Sequence, residues 1–224
     1  MEIKTYDEID VSILSATKEP QKLVHMSLAI TQHKAFEDNV KLSKNSIANV
    51  FKMNHTSVFE HVVYCFIIKG ASRSFLAQIT RHRMGSFTSG SQHYQDYSQY
   101  GVCISKKTKR PPTFIYALEN AIASYNFLCA EGVPKKEARQ VLPNAMQNNL
   151  IWTVNARSLS NFFNLRLCNR NTEEIQVVAI KILALVKNHF PELFNEVGAD
   201  CFIDKCKQGK MCCGNPWKKE IPNA

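Results

Sequence analysis

The chain has 224 residues, 45% of them hydrophobic and 21% charged, which suits one packed domain and excludes a disordered polyelectrolyte. Its formal net charge of +9 points to anionic partners: nucleic acid, a membrane surface, or small polyanions such as nucleotides. Met1 to Thr5 shows no basic-then-apolar leader, and the longest apolar run, Val177 to Val186, is cut by Lys181 and too short to span a bilayer; a soluble, cytoplasmic chain with no membrane partner is expected.

Residues 20–33 carry Leu23, Met26, Ser27 and Ile30 at helical spacing, and 44–53 read as a second helix with Ser43 as its N-cap. Residues 58–69 are rich in β-branched and aromatic side chains, a strand that Gly70 is expected to end. Ser72 to Thr80 reads as a helix, which puts Arg81-His82-Arg83 at its C-terminal end. From Met84 to Gly101 the chain is rich in Ser, Gly, Gln and Tyr, and reads as a loop. Pro111-Pro112 opens a long helix to Glu131, broken by Gly132-Val133-Pro134. Lys135 to Leu142 is a short helix stopped by Pro143. Residues 149–156 read as a strand, Ser158 as the cap of a helix to Arg166, and 173–189 as a further helix. Helices and strands mix without regular βαβ repetition. This predicts an α+β fold, a mixed sheet with flanking helices, rather than a doubly wound sheet.

The eight cysteines fall into a scattered set (Cys65, Cys103, Cys129, Cys168) and a cluster (Cys201, Cys206, Cys212, Cys213). With no secretory leader, a disulfide framework is not expected. The cluster leaves a small metal site, a redox pair and a plain tail open. Its spacing is no standard finger, and adjacent cysteines seldom both ligate one ion, so no metal is expected. The chain divides into a domain over 1–198 and a Cys-rich tail over 199–224.

Two guanidiniums beside a polar loop suit a bound phosphate, because each offers paired planar donors. Ser86, Thr88, Ser89 and Ser91 add neutral donors. A solvated helix end with a flexible loop fits the same residues equally well. A second group strengthens the binding reading: Arg139, Asn155, Arg157, Asn161 and Arg166 lie in or beside apolar elements, where polar side chains need partners. Asn155 and Arg157 share a strand face by two-residue alternation. Pairing of these arginines with Glu137 or Glu60 is the plainer alternative, disfavoured because 28 Lys and Arg outnumber 19 acids. Basic charge with Phe87, Tyr94, Tyr97 and Tyr100 also suits nucleic-acid stacking. The arginines, however, lie beside apolar elements rather than on one exposed stripe, and no nucleic-acid partner is expected.

Arg81-His82-Arg83, seven residues, then Ser91 resembles the Arg-His-Arg-x7-Ser motif of flavin-dependent thymidylate synthases. Ser72-Arg73 and Gln78 agree with that family, as do Gly132-Val133-Pro134, Ala138-Arg139 and Leu142-Pro143. So do the block from Trp152 to Leu159, Asn161-Phe162 and Asn164-Leu165-Arg166. The likeness spans most of residues 20–195.

The resemblance implies a single thymidylate synthase-complementing-type domain assembled as a homotetramer with active sites between subunits. It implies FAD as cofactor, NADPH as reductant and methylenetetrahydrofolate as carbon donor, converting dUMP to dTMP without a cysteine nucleophile. By position, Arg81, His82, Arg83, His55, Ser57 (where threonine is common), Glu60, Asn155, Arg157 and Asn161 match flavin-side residues. Gln78, Ser89, Gly90, Ser91, Gln92, His93, Arg139 and Arg166 match the nucleotide side. Arg166, His55 and Ser91 form the expected catalytic set, Arg166 by contacting the pyrimidine edge and favouring ionised N3. There are departures. Thr88-Ser89 stand where many members have Asn-Glu, His93 replaces an arginine expected at the phosphate, and Arg170 stands where some members have a histidine. A histidine still donates to phosphate, with a charge that depends on pH near neutrality. The altered loop leaves open another pyrimidine nucleotide, UMP or dCMP, and the missing acid leaves open an inactive flavin-binding homologue.

Overall fold

The computed structural model describes residues 1–32, 44–106, 111–203 and 205–218. In chain order the strands and helices are β1 (Ile3–Thr5), β2 (Asp10–Ala16), α1 (Pro20–Thr31), α2 (Lys44–Lys52), β3 (Val63–Ser72), α3 (Arg73–Ile79), β4 (Gly85–Ser89) and β5 (Val102–Ile104). There follow α4 (Pro112–Ala130), α5 (Lys135–Ala138), β6 (Gln147–Asn155), α6 (Ala156–Arg166), α7 (Glu173–His189), α8 (Pro191–Phe194) and α9 (Asp200–Ile203). The Ser43 cap expected for α2 lies outside the described residues. The α+β class holds. A four-stranded antiparallel sheet runs in the order β2-β3-β6-β4, and a separate parallel pair joins β1 to β5.

Period-2 alternation decides which face of the sheet is covered. On β3, Tyr64, Phe66 and Ile68 are fully buried, and on β6, Leu150, Trp152 and Val154 face the same way. They pack against Leu159, Phe162 and Phe163 of α6 and against the apolar stripe of α7. Between sheet and helix the rings meet edge-on, as Trp152–Phe162 at 5.0 Å, and within α6 as Phe162–Phe163 at 5.6 Å, while Tyr64–Phe66 and Phe87–Trp152 on the sheet lie stacked. A second, smaller cluster joins Leu118, Ile122 and Tyr125 of α4 to Tyr97, Val102, Ile104 and Met146.

Several boundaries differ from the sequence reading. The β3 strand begins five residues late, because Thr56–His61 coils into a 3-10 turn. Nor does it stop at Gly70. Gly70 adopts φ +80 inside a bulge, with its N–H donated to Asn149 Oδ1 at 2.9 Å, and pairing resumes at Ala71. That left-handed backbone suits glycine. The stretch from Met84 to Gly101 is no continuous loop. Residues 85–89 form the edge strand β4, in register with β6 through Phe87↔Trp152. Gly85 permits the approach: a Cβ there would lie 2.7 Å from Trp152 Nε1. Only one apolar residue in this strand signalled it.

Two side-chain caps launch the helices that matter. Ser72 ends β3 and its Oγ accepts the Phe75 N–H at 3.1 Å, starting α3. Asn155, rather than Ser158, caps α6: its Oδ1 accepts the Ser158 N–H at 2.8 Å. This also corrects the face-sharing of Asn155 and Arg157, since the strand ends between them. Ser72 is in turn gripped by Glu174 of α7, whose carboxylate accepts from Ser72 N at 2.7 Å and Ser72 Oγ at 2.6 Å. Burial pushes the Glu174 carboxyl up, and the two donors from Ser72 pull it partly back.

The segment after residue 198 joins the main core through Trp217, which is 6% exposed and meets Phe202 edge-on at 5.5 Å. Trp217→Ala is therefore expected to lower unfolding stability by roughly 3–5 kcal/mol, read from the urea midpoint. An unchanged midpoint would mean that this segment adds nothing to the fold.

Candidate functional site

The two capped helices start at opposite ends of the β3–β6 pair, since Ser72 pairs with Gln147 and Asn155 with Val63. Their C-terminal ends meet. There Arg166, in the last turn of α6, reaches the residues that follow α3. Its Nε donates to His82 Nε2 at 2.8 Å, Nη2 to the Gln78 carbonyl at 3.3 Å, and Nη1 to Asn171 Oδ1 at 3.3 Å. Asn171 is itself fixed, donating to the carbonyls of Leu165 and Cys168. A guanidinium has five N–H donors, so these bonds leave two for a ligand.

His82 accepts from Arg166 and so carries its proton on Nδ1. Burial, then the Arg166 charge, push it down to about 4. The imidazole is neutral at physiological pH and sits edge-on to Phe162 at 4.9 Å. Arg166 is lowered as well, by burial and by neighbouring Arg81. Both shifts report one condition: positive charge crowded into a half-buried place.

That place is a cleft of about 510 Å³. The α6 stripe of Arg157, Asn161 and Leu165, spaced by four residues, forms one wall. Arg81, His82, Arg83 and Met84 form another, with Glu60, Trp152, Val154, Ser158 and Arg166 completing it. Four arginines face one carboxylate. Glu60 is paired with Arg157, both half exposed. Among the described residues, Arg81, Arg83 and Arg166 form no ion pair. The plainer alternative of arginine–carboxylate pairing thus describes Arg157 alone. The charge of such a cleft is complementary to a polyanion, and its apolar portions suit a flat ring.

Of the residues singled out from sequence, Glu60, Arg81, His82, Arg83, Arg157, Asn161 and Arg166 converge here. Gln78 stands beside them, its carbonyl on Arg166 and its side-chain oxygen accepting from Thr172 Oγ1 at 3.1 Å. Asn155 serves as the α6 cap. His55 and Ser57 are exposed at the turn leading to Glu60. Ser89, Gly90, Ser91, Gln92 and His93 leave the end of β4 as a tight turn in which Ser91 accepts from the His93 and Gln95 N–H groups. Arg139 is exposed, its Nε on the Lys136 carbonyl. Neither this turn nor Arg139 lines the cleft of its own chain. Asn171 escaped the sequence reading. It reaches Arg166 only because α6 ends between them, which no side-chain pattern announces.

The family described as thymidylate synthase complementing protein matches residues 12–192. The flavin-dependent thymidylate synthase of Geobacter sulfurreducens is 33% identical over 91% of this chain and 93% of its own. That of Clostridium tetani is 33% identical over 92% and 93%, and that of Sulfolobus acidocaldarius 40% over 66% and 58%. Among solved structures, the UMP/dUMP methylase PolB from Streptomyces cacaoi, bound with 5-Br dUMP, superposes with a TM-score of 0.75 over 87% of this chain and 96% of its own. At 20% identity it shares the fold.

The depressed His82 has a direct test. Its imidazole resonances are expected to stay in the neutral form from pH 8 to about 5 and to titrate only near pH 4, followed by proton–nitrogen correlation NMR. Arg166→Gln is expected to raise that midpoint toward 6.5. A wild-type midpoint near 6.5 would break the Arg166–His82 arrangement. The sign for stability follows. With its folded value depressed, His82 contributes stability that is full above 6.5 and is lost as pH falls toward 4.

Proposed function

This chain belongs to the thymidylate synthase complementing protein family, that of the flavin-dependent thymidylate synthases, and on that footing we propose that it methylates C5 of dUMP to give dTMP. It is an enzyme, a methyltransferase of nucleotide biosynthesis, as its family membership states. FAD as the bound flavin, methylenetetrahydrofolate as carbon donor and NADPH as reductant belong to the proposal. The observation that carries it is the cleft in which Arg81, Arg83 and Arg166 stand without carboxylate partners.

The donor set fits the cofactor. Arg81, Arg83 and Arg157 would hold its pyrophosphate, with Asn161 and Ser158 as neutral donors, while Met84, Val154 and Leu165 offer apolar surface to a ring. Bound there, FAD supplies the reducing equivalents that complete the methyl group. Arg166 does the electrostatic work on the pyrimidine. Its two remaining N–H donors favour the ionised ring, and an anionic uracil is nucleophilic at C5. His82 holds Nε of Arg166 and, being neutral, adds no competing cation.

The nucleotide-side set from Ser89 to His93, with Arg139, would serve the cleft of a neighbouring subunit. This supports the homotetramer with active sites between subunits. Exposed apolar side chains on α4, Tyr116 at 65% and Phe127 at 64%, offer a surface for such contacts.

The test combines visible absorption of the purified protein with methylation assays on dUMP, UMP and dCMP, using methylenetetrahydrofolate and NADPH. A flavin spectrum with dTMP formation is expected. Product from UMP or dCMP alone would assign the altered Thr88–His93 stretch to another nucleotide. Flavin with no product would point to an inactive homologue, and no flavin after added FAD would overturn the reading. Arg166→Ala is expected to lower kcat by about 10²–10³-fold, with circular dichroism unchanged.

A further inference from the structure

Beyond the arginine cleft, the chain gathers sulfur. Five cysteines, Cys168, Cys201, Cys206, Cys212 and Cys213, line one cavity of about 220 Å³ together with Arg170. All are free thiols. Among the described residues, no three His, Cys, Asp or Glu groups stand in metal-ligand geometry. The contacts of each sulfur sort them. Cys213 donates its S–H to the Asn215 carbonyl at 3.2 Å. Cys201 is half-buried and accepts the Trp217 N–H at 3.3 Å. Cys206 and Cys212 line this cavity together with Arg170, and each acts on the other's thiol, with Cys206 on the donor side.

The surroundings favour negative charge on one of that pair. The Gly214 N–H, then the Cys206 S–H, and also the Arg170 guanidinium hold the Cys212 thiol below its ordinary value. The Gln208 N–H acts on Cys206 in the same sense, but sharing its proton with Cys212 leaves Cys206 raised. Arg170 is tethered to Gln208 Oε1 at 3.4 Å. Cys212 is exposed and Cys206 half-exposed. An exposed sulfur that ionises first, beside a second sulfur that holds the proton, is the arrangement that thiol exchange needs.

We propose that Cys212 and Cys206 form a thiol–disulfide exchange site for low-molecular-weight disulfides of the glutathione type, Cys212 attacking and Cys206 resolving. Cys212 Sγ attacks one sulfur of the small disulfide; a mixed disulfide forms and the other half leaves as a thiolate. Cys206 passes its proton to a departing thiolate and attacks Cys212 Sγ. The Cys206–Cys212 bond forms and the second small thiol is released. Two protein thiols are oxidised by two electrons and one small disulfide is reduced to two thiols. The bond closes the turn carrying Lys207, Gln208 and Met211. These residues wall a cleft of about 420 Å³ that shares Leu165 and Arg166 with the arginine cleft. The redox state of the pair is thereby set beside Arg166.

The experiment treats reduced full-length protein with oxidised glutathione and maps the peptides by mass spectrometry. Wild type is expected to lose two hydrogens in a Cys206–Cys212 cross-link. Cys206→Ser is expected to trap a single glutathionyl group on Cys212, and Cys212→Ser to abolish modification at Cys206. Labelling of Cys213 or Cys129 as fast as Cys212 would overturn the assignment, as would a cross-link from Cys212 to any other cysteine. Stoichiometric zinc in the purified protein that blocks the reaction would overturn it too, and make these thiols metal ligands.

Discussion

One guanidinium, that of Arg166, ties together the ends of two helices and the histidine of the Arg81–Arg83 triplet. It sits in the last turn of α6 and donates to Gln78, one of the last carbonyls of α3. Both ends carry the negative pole of a helix, which favours a cation there. That compensation lets the charge stay half-buried without a carboxylate. A carboxylate in its place would neutralise the guanidinium and leave nothing for an anionic ligand. Each charge-assisted bond contributes about 1.5–3 kcal/mol, so the side chain is held in one orientation before any ligand arrives.

The meeting of those helix ends is a consequence of register. Because β3 and β6 pair antiparallel from Val63↔Asn155 to Ser72↔Gln147, the caps at Ser72 and Asn155 start their helices from opposite ends of one sheet face. A slip of β6 by one residue against β3 would turn Trp152 and Val154 outward and carry the Asn155 cap with them. Glu174 guards one end. Its carboxylate binds Ser72 twice while Ser72 caps α3, so α7 and α3 are locked through a single serine.

Charge in this protein is graded by place. The surface pairs are exposed and weak, while Arg81, Arg83 and Arg166, which form no ion pair among the described residues, stand at the cleft. Burial first, and then the repulsion of a neighbouring arginine, depresses both His82 and Arg166. An anion bound there would relieve that repulsion as well as form hydrogen bonds, so affinity and the stability of the cleft are linked.

The amino-acid sequence by itself determined what depends on local pattern. The helices at 20–31, 112–130 and 173–189 follow from apolar spacing and proline starts, and the β-branched run of β3 from its composition. The Arg81-His82-Arg83 motif marked the candidate site through its resemblance to a family signature, since a solvated helix end fits the same residue types equally well. Other features were decided only by tertiary structure. The edge strand β4 has one apolar residue and exists because Gly85 lets it lie against Trp152. Asn171 and the Gln78 carbonyl hold Arg166 through contacts that span helix ends, where no periodicity reaches. Cys168 joins Cys201, Cys206 and Cys212 although 32 residues lie between it and the first of them, because α7 folds the chain back and Trp217 anchors its end in the core. Local preference fixes which way a segment coils; which side chains then meet depends on pairing register and on buried contacts between segments far apart in the chain.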